Sequence, residues 1–287
     1  MRGLPRFFGE YQDRVAAELR RLVPDEGGPV ERAMAYTVLA PSKQVRAVLV
    51  VLCAELCRGS AAEAIPAAAA IELVHASSLI LDDLPSMDDA PLRRGRAANH
   101  LASGEAIAIL AAFGLLNLAY AAIARAYAPP VAARMSSVLS DAVGTDGLIG
   151  GQALDLDATD REISFETLER IHRGKTGALF VAAAAFGAIT AGAAAEPIAA
   201  LSAYAKNLGL AFQIVDDLLD VSGNPADTGK AVRADARKTT FVSFSGVDGA
   251  RQLAAELCEA ADGALAPFGA KADRLRELSA FVAARRL

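Results

Sequence analysis

The sequence is short of cysteine, carries little net charge and has no stretch that alternates apolar and polar residues as a strand does. Each lack removes a class of protein. Three cysteines in 287 residues are an odd and low count for a disulfide framework and fit a reducing compartment. Cys53 and Cys57 stand four apart and share a helix face. No other cysteine or histidine is near enough in sequence to complete a metal site, so they read as small core residues. With 29 Lys and Arg against 34 Asp and Glu, net charge −5, no global field draws the chain to nucleic acid or to an anionic bilayer. Any anion must be held by a local basic cluster. The first ten residues lack an apolar run followed by a small-residue cleavage site, so no signal peptide is expected and the cytoplasm is the default.

Hydrophobic residues make up 53% of the chain, which excludes disorder. Almost every segment repeats with a helical period, and the expected fold is all-α. Helices are expected over Phe7–Val23, Pro29–Leu39, Lys43–Cys57, Ala61–Leu81, Gly104–Ala126, Val131–Asp155, Ser164–His172, Gly177–Ala193, Pro197–Leu219, and from Gly249 to near the end. Breaks gather where Gly, Pro and Asn do, with a longer one at Val221–Arg237. None is a long polar linker, so residues 1–287 are expected to form a single domain. Ala106–Ala124 and Ala178–Ala195 approach the length that spans a bilayer. Both are rich in Ala and Gly and lack dense Leu, Ile and Phe, so they read as buried bundle helices rather than membrane spans.

The chemistry gathers in two acidic clusters. Leu79-Ile-Leu-Asp82-Asp83-Leu-Pro-Ser-Met-Asp88-Asp89 puts four carboxylates at the end of an apolar helix. Burying one unpaired carboxylate costs several kcal/mol, so the cluster requires a cation or open water. Far along the chain, Phe212-Gln213-Ile-Val-Asp216-Asp217-Leu-Leu-Asp220 repeats the design, with Asp216 and Asp220 on one helix face. Oxygen ligands without His or Cys suit hard divalent ions, and Mg²⁺ completes its shell from water and substrate phosphates. A phosphate ester is the implied substrate. Pro85 must interrupt the helix inside the first cluster, which would let Asp82 and Asp88 converge.

Basic residues fall beside the acids. Leu92-Arg93-Arg94-Gly95-Arg96 follows the first cluster directly, and guanidinium forks match phosphate oxygens. Lys175-Thr176, Lys230 and Lys238 lie near loops or helix breaks, and Lys43 and Arg46 open an early helix, where the dipole also favours an anion. His100 and His172 have no catalytic part in this scheme and read as exposed or helix-end residues.

In these features the sequence resembles the trans-isoprenyl diphosphate synthases, the polyprenyl synthetases, over nearly its whole length. The family's Asp-Asp-x4-Asp and Asp-Asp-x2-Asp motifs stand at Asp82–Asp88 and Asp216–Asp220. Glu72-Leu-Val-His75, Arg93-Arg94-Gly-Arg96, Gly174-Lys175-Thr176 and Phe212-Gln213 match in order and spacing. Leu79–Asp83 and Ala108–Ala112 are most similar to bacterial geranylgeranyl diphosphate synthases of the carotenoid type. The resemblance implies a helical bundle of the isoprenoid synthase type around a central cavity, about three Mg²⁺ per site, and a homodimer. It implies condensation of isopentenyl diphosphate with a dimethylallyl, geranyl or farnesyl diphosphate. Asp82 and Asp88, with Asp83 in the same motif, would bind two Mg²⁺ ions, and Asp216 a third, supported by Asp217 and Asp220. Arg93, Lys175 and Lys238, with Lys230 close by, would clamp the allylic diphosphate. Lys43, Arg46, His75 and Arg94 would hold isopentenyl diphosphate. Thr176 and Gln213 would lie along the reacting carbons.

Product length is expected to depend on residues one helical turn behind the first motif, roughly 5 Å and comparable with one isoprene unit. These are Ser77 and Ser78, where fifteen-carbon synthases carry a large aromatic side chain. Serine leaves room for twenty carbons, with Phe113 on a neighbouring helix as the floor. A fifteen-carbon product, from a bulky residue projecting higher, is the alternative. The family's Gly-Gly-Lys-Arg-x-Arg-Pro is replaced by Pro41-Ser42-Lys43-Gln44-Val45-Arg46-Ala47, which puts isopentenyl affinity in question. Rival readings are a class I terpene cyclase, whose second motif is absent, and a noncatalytic prenyl synthase subunit, in which eroded motifs would be expected. A helical scaffold with solvated acids is the third.

Overall fold

The computed structural model describes residues 6–222 and 238–284. Lys230, one of the expected clamp residues, lies outside them. The all-α expectation holds. In chain order the helices are α1 (Arg6–Leu22), α2 (Pro29–Val38), α3 (Val45–Leu56), α4 (Ala61–Asp82), α5 (Asn99–Ser103), α6 (Glu105–Ala126), α7 (Pro129–Val143) and α8 (Leu148–Asp157). There follow α9 (Phe165–His172), a wide π-turn (Arg173–Gly177), α10 (Ala178–Thr190), α11 (Ala195–Ser222), α12 (Phe241–Ala264), a 3₁₀ segment (Ala266–Ala272) and α13 (Asp273–Ala283). The β structure among the described residues is one short antiparallel hairpin, β1 (Leu92–Arg93) with β2 (Arg96–Ala97).

Sequence explains which helices are central. In α3 the run Ala47–Ala54 is apolar on every face and wholly buried, and α10 buries Leu179 and Phe180 and the run from Ala182 to Ile189. The two cross closely. A Cβ on Gly187 would stand 2.2 Å from the carbonyl oxygen of Val50, so only glycine allows this approach. Helix α4 packs against α3, α6, α10 and α1. Ser60 caps it by accepting the Glu63 N–H at 3.1 Å. Pro66 disturbs its ladder, and the Tyr127 hydroxyl fills in, donating to the Glu63 carbonyl at 2.6 Å and accepting from the Ala67 N–H at 3.1 Å. A second, smaller apolar cluster, including Leu168, Ile214, Leu218 and Phe241, joins α9, α11 and α12. Among the described residues three long helices, α4, α11 and α6, are apolar enough to cross a membrane by length and composition. The first two end in the carboxylate motifs.

Three expectations need correction. The helix expected over Val131–Asp155 is two helices, because Gly144-Thr-Asp-Gly147 forms a turn between α7 and α8. The last helix starts at Phe241, where Thr240 and Ser243 make a reciprocal capping box, and Gly246 at φ 70° kinks it before the expected start. Pro267 and Gly269 then divide the C-terminal stretch into the 3₁₀ segment and α13. The expected burial of Ala106–Ala124 fails on one side: α6 turns Leu110 (52% exposed) and Phe113 (63% exposed) outward, whereas α10 is buried as expected.

Candidate active site

Both acidic motifs and most of the basic residues open onto one cavity of about 720 Å³. Its walls come from the start of α3, the ends of α4 and α11, the hairpin, α8, the π-turn and the segment before α12. Polar residues share it with an apolar lining that includes Leu79, Leu81, Leu148, Ile149 and Leu156. A ligand with a charged head and a hydrocarbon tail suits such a lining.

Helix α4 ends at Asp82, and after Pro85 the chain folds back so that the Asp88 N–H bonds to the Asp82 carbonyl at 3.0 Å. This is the convergence that the proline break allows. Asp82, Asp88 and Asp216 line the cavity. Asp83 does not. One residue turns a helix by about 100°, and Asp83 points into protein, 2% exposed, where Arg93 Nε sits 3.0 Å from both carboxylate oxygens and Arg93 Nη2 closes the fork. Its expected place among metal ligands is corrected to that of an anchor for Arg93. Asp217 touches the cavity but is also engaged elsewhere: it accepts Gln213 Nε2 at 2.9 Å and the Phe241 N–H at 3.0 Å, tying α11 to the start of α12. Asp220 is not part of the lining.

Cations interleave with these acids. Lys175 Nζ lies 2.9 Å from Asp82 Oδ1 and 4.0 Å from Asp88 Oδ2, and Lys238 Nζ lies 2.7 Å from Asp88 Oδ1. Both lysines also bond Asp155 Oδ2, at 2.7 and 2.8 Å. Burial alone would push Asp82 and Asp155 up, but Lys175 and its neighbours hold both carboxyls below their ordinary range. The same pairings, against the pull of burial, raise Lys175 and Lys238. From the π-turn to α11, Thr176 Oγ1 donates to Gln213 Oε1 at 3.0 Å, and Asp217 fixes the amide from the other side.

The second basic set faces the same space. Lys43, Arg46, His75 and Arg94 line the cavity with Glu72. Arg46 lies 4.5 Å over the Phe180 ring and 5.9 Å from that of Phe212. Burial pushes its pKa down to about 10, opposed by Glu72 and Asp216. His75 is driven well below its usual value by burial and then by Arg46 and Arg94, so it stays neutral. Buried Glu72 is raised by desolvation, while Arg46 and Arg94 pull it down, and it accepts the Ala47 N–H at 3.3 Å. Gln44, at φ 49°, precedes α3 in the left-handed region, and its Oε1 is buried without a hydrogen-bond partner.

The chain-length residues separate. Ser78 lines the cavity, whereas Ser77 faces α6 and donates to the Ala112 carbonyl at 2.8 Å. Phe113 is on the outer face of α6 and does not line the cavity, so its expected role as floor within one chain is corrected. The histidine reading is corrected at His100, which is buried; His172 stands at the end of α9 as expected, and there it lines the cavity with its ring 5.1 Å from that of Phe241. Burial brings His172 down to about 4. The residue that sequence reasoning missed is Asp155. Its signal was a carboxylate between Leu154 and Leu156, three residues after Gln152.

A family-wide sequence model described as polyprenyl synthetase matches residues 29–260. The chain belongs to the polyprenyl synthetase family. It is 40% identical over 284 residues to geranylgeranyl pyrophosphate synthase 11, chloroplastic, of Arabidopsis thaliana, covering 95% of this chain and 80% of that protein. It is 43% identical over 244 residues to the farnesyl diphosphate synthase of Escherichia coli (strain K12), covering 83% and 82%. Among solved structures, geranylgeranyl pyrophosphate synthetase from Pyrococcus horikoshii Ot3 superposes with a TM-score of 0.88 at 30% identity, covering 98% of each chain.

The donor chemistry of this polyprenyl synthetase fits the Mg²⁺ that its family implies. The facing groups are carboxylates, and buried Asp82 Oδ1 is met by the Lys175 ammonium at 2.9 Å, so its place in the cavity is one that already draws a cation. Among the described residues no three His, Cys, Asp or Glu side chains form a complete metal site.

Proposed function

We propose that this polyprenyl synthetase condenses isopentenyl diphosphate with an allylic diphosphate, with geranylgeranyl diphosphate as the main product. The observation that carries this reading is that two cationic sets, each able to hold one diphosphate, share a single cavity with a tail-compatible lining. Asp82, Asp88 and Asp216 would hold Mg²⁺, which when bound offsets the charge of the leaving diphosphate. The allylic C–O bond breaks and its electron pair stays with that diphosphate, where Arg93, Lys175 and Lys238 accept the charge. Thr176 and Gln213 present oxygens beside the allylic cation. Lys43, Arg46, Arg94 and His75 orient isopentenyl diphosphate, whose double bond forms the new C–C bond. A proton then passes from the isopentenyl carbon to the departed diphosphate.

Lys43→Ala or Arg46→Ala should raise the Michaelis constant for isopentenyl diphosphate far more than that for the allylic substrate. Steady-state kinetics with each substrate varied in turn measures this split. Ser42→Gly with Gln44→Arg should tighten isopentenyl binding, and an unchanged constant would show that these departures are neutral.

Product length rests on Ser78, the small side chain that lines the cavity one turn before Asp82. Chromatography of dephosphorylated products should give mainly geranylgeraniol, and Ser78→Tyr should shift it toward farnesol. Farnesol as the main alcohol from the unsubstituted chain, under excess isopentenyl diphosphate, would favour the fifteen-carbon reading, which the E. coli relative also supports.

A homodimer in the cytoplasm completes the proposal. The outward Leu110 and Phe113 of α6 form an apolar stripe that a second copy would cover. Light scattering should give twice the chain mass, and Phe113→Glu with Leu110→Glu should reduce it to one.

A further inference from the structure

We infer that Asp155 is a positioning residue that holds Lys175 and Lys238 on the allylic diphosphate while Asp82 and Asp88 are engaged by metal. The inference rests on the reading of this cavity as a prenyl-transfer site. One oxygen, Asp155 Oδ2, bonds both ammonium groups, at 2.7 and 2.8 Å. Each lysine has a further carboxylate, Asp82 for Lys175 and Asp88 for Lys238. Those further partners are the groups proposed to take Mg²⁺. A carboxylate that coordinates a divalent cation presents much less negative charge to an ammonium, and the cation itself repels it.

Asp155 stands outside both aspartate-rich motifs and is only 8% exposed. Two ammonium groups converging on one point repel strongly unless an anion lies between them. Asp155 occupies that point from the wall of the cavity. Its placement is built in by packing: one turn earlier on α8, a Cβ on Gly151 would stand 2.1 Å from the backbone nitrogen of Lys175. Glycine there lets α8 lie directly on the π-turn, so the carboxylate and its lysine approach as one rigid unit. The division of labour is then clear. Asp82 and Asp88 serve the metal, and Asp155 keeps the two lysines in place throughout the turnover cycle.

The test uses the full chain with Asp155→Asn and Asp155→Glu, with thermal unfolding to verify the fold. Asp155→Asn should raise the Michaelis constant of the allylic diphosphate by at least about tenfold, the order expected when one partner of a buried charge pair is removed. The constant for isopentenyl diphosphate should stay within about twofold, as should the Mg²⁺ concentration for half-maximal rate. Asp155→Glu, which keeps the charge, should recover most of the allylic affinity. Calorimetric titration of inorganic diphosphate with Mg²⁺ should show the same order of weakening in Asp155→Asn. If that variant does not fold, Asp155→Ser takes its place with the same expectations. Equal rises in both substrate constants would overturn the inference, as would a shifted Mg²⁺ requirement with allylic affinity intact, which would make Asp155 a metal ligand. Absence of turnover in the unsubstituted chain would instead refute the functional reading, and the diphosphate titration would still decide the role of Asp155.

Discussion

Asp82→Ala and Asp216→Ala should each lower turnover by at least about 10²-fold, the order lost when one electrostatic stabiliser of a transition state is removed. The two positions come from different helices, α4 and α11, and face one cavity, so their losses report on one site approached from two sides. Carboxylates and a diphosphate repel one another at short range without an intervening cation. EDTA should therefore abolish activity, and Mg²⁺ or Mn²⁺ should restore it. Asp83→Asn offers a contrast. That side chain is turned from the cavity and holds Arg93, so its effect should fall on allylic affinity rather than on the metal requirement. Turnover that persists in EDTA, or an Asp216→Ala variant near full rate, would contradict the scheme.

Lys175→Met should have an effect of similar size on turnover, about 10²-fold, and should also leave a signature in stability. Lys175 is the main cation holding Asp82 and Asp155 below their ordinary range against burial. A carboxyl with a depressed folded pKa contributes stability that is present above its unfolded value, about 4, and is lost as pH falls through the folded value. Lys175 is raised, so its contribution is present below about 10.4 and lost as pH rises through the folded value. The variant should therefore be less stable than the parent across the range between these limits, with the gap closing at either end. Lys175 keeps 23% of its side chain exposed, which reduces the deficit to about 1–3 kcal/mol. Urea unfolding in EDTA across pH measures the curve. A constant deficit at every pH would show that packing, not charge pairing, is what Lys175 contributes.

Much of this site was legible before the structure, for a physical reason. Carboxylates on apolar helices have few uses, and a proline between Asp82 and Asp88 leaves the chain little choice but to fold back, as the Asp88 N–H bond to the Asp82 carbonyl confirms. What spacing does not convey is side-chain direction at a helix end. Asp82 and Asp83 are neighbours in one motif, yet one faces the cavity and the other a buried arginine; Ser77 and Ser78 divide in the same way between α6 and the cavity. Asp155 was hidden because its partners, Lys175 and Lys238, are 20 and 83 residues away. The close packing of Gly151 on the π-turn brings Lys175 to it, and Lys238 arrives from the segment before α12. The turn at Gly144–Gly147 was visible in its residues but obscured by helical periodicity on both sides. The outward Phe113 reflects a limit of another kind, since the exposure of an apolar face depends on what the surface meets.

The most direct test of the account is transfer of label from isopentenyl diphosphate into acid-labile prenyl product by the purified chain, with dimethylallyl, geranyl or farnesyl diphosphate as primer. Incorporation that requires both a primer and Mg²⁺ is the predicted result. No incorporation with any primer, or conversion of a primer alone to a hydrocarbon, would contradict it.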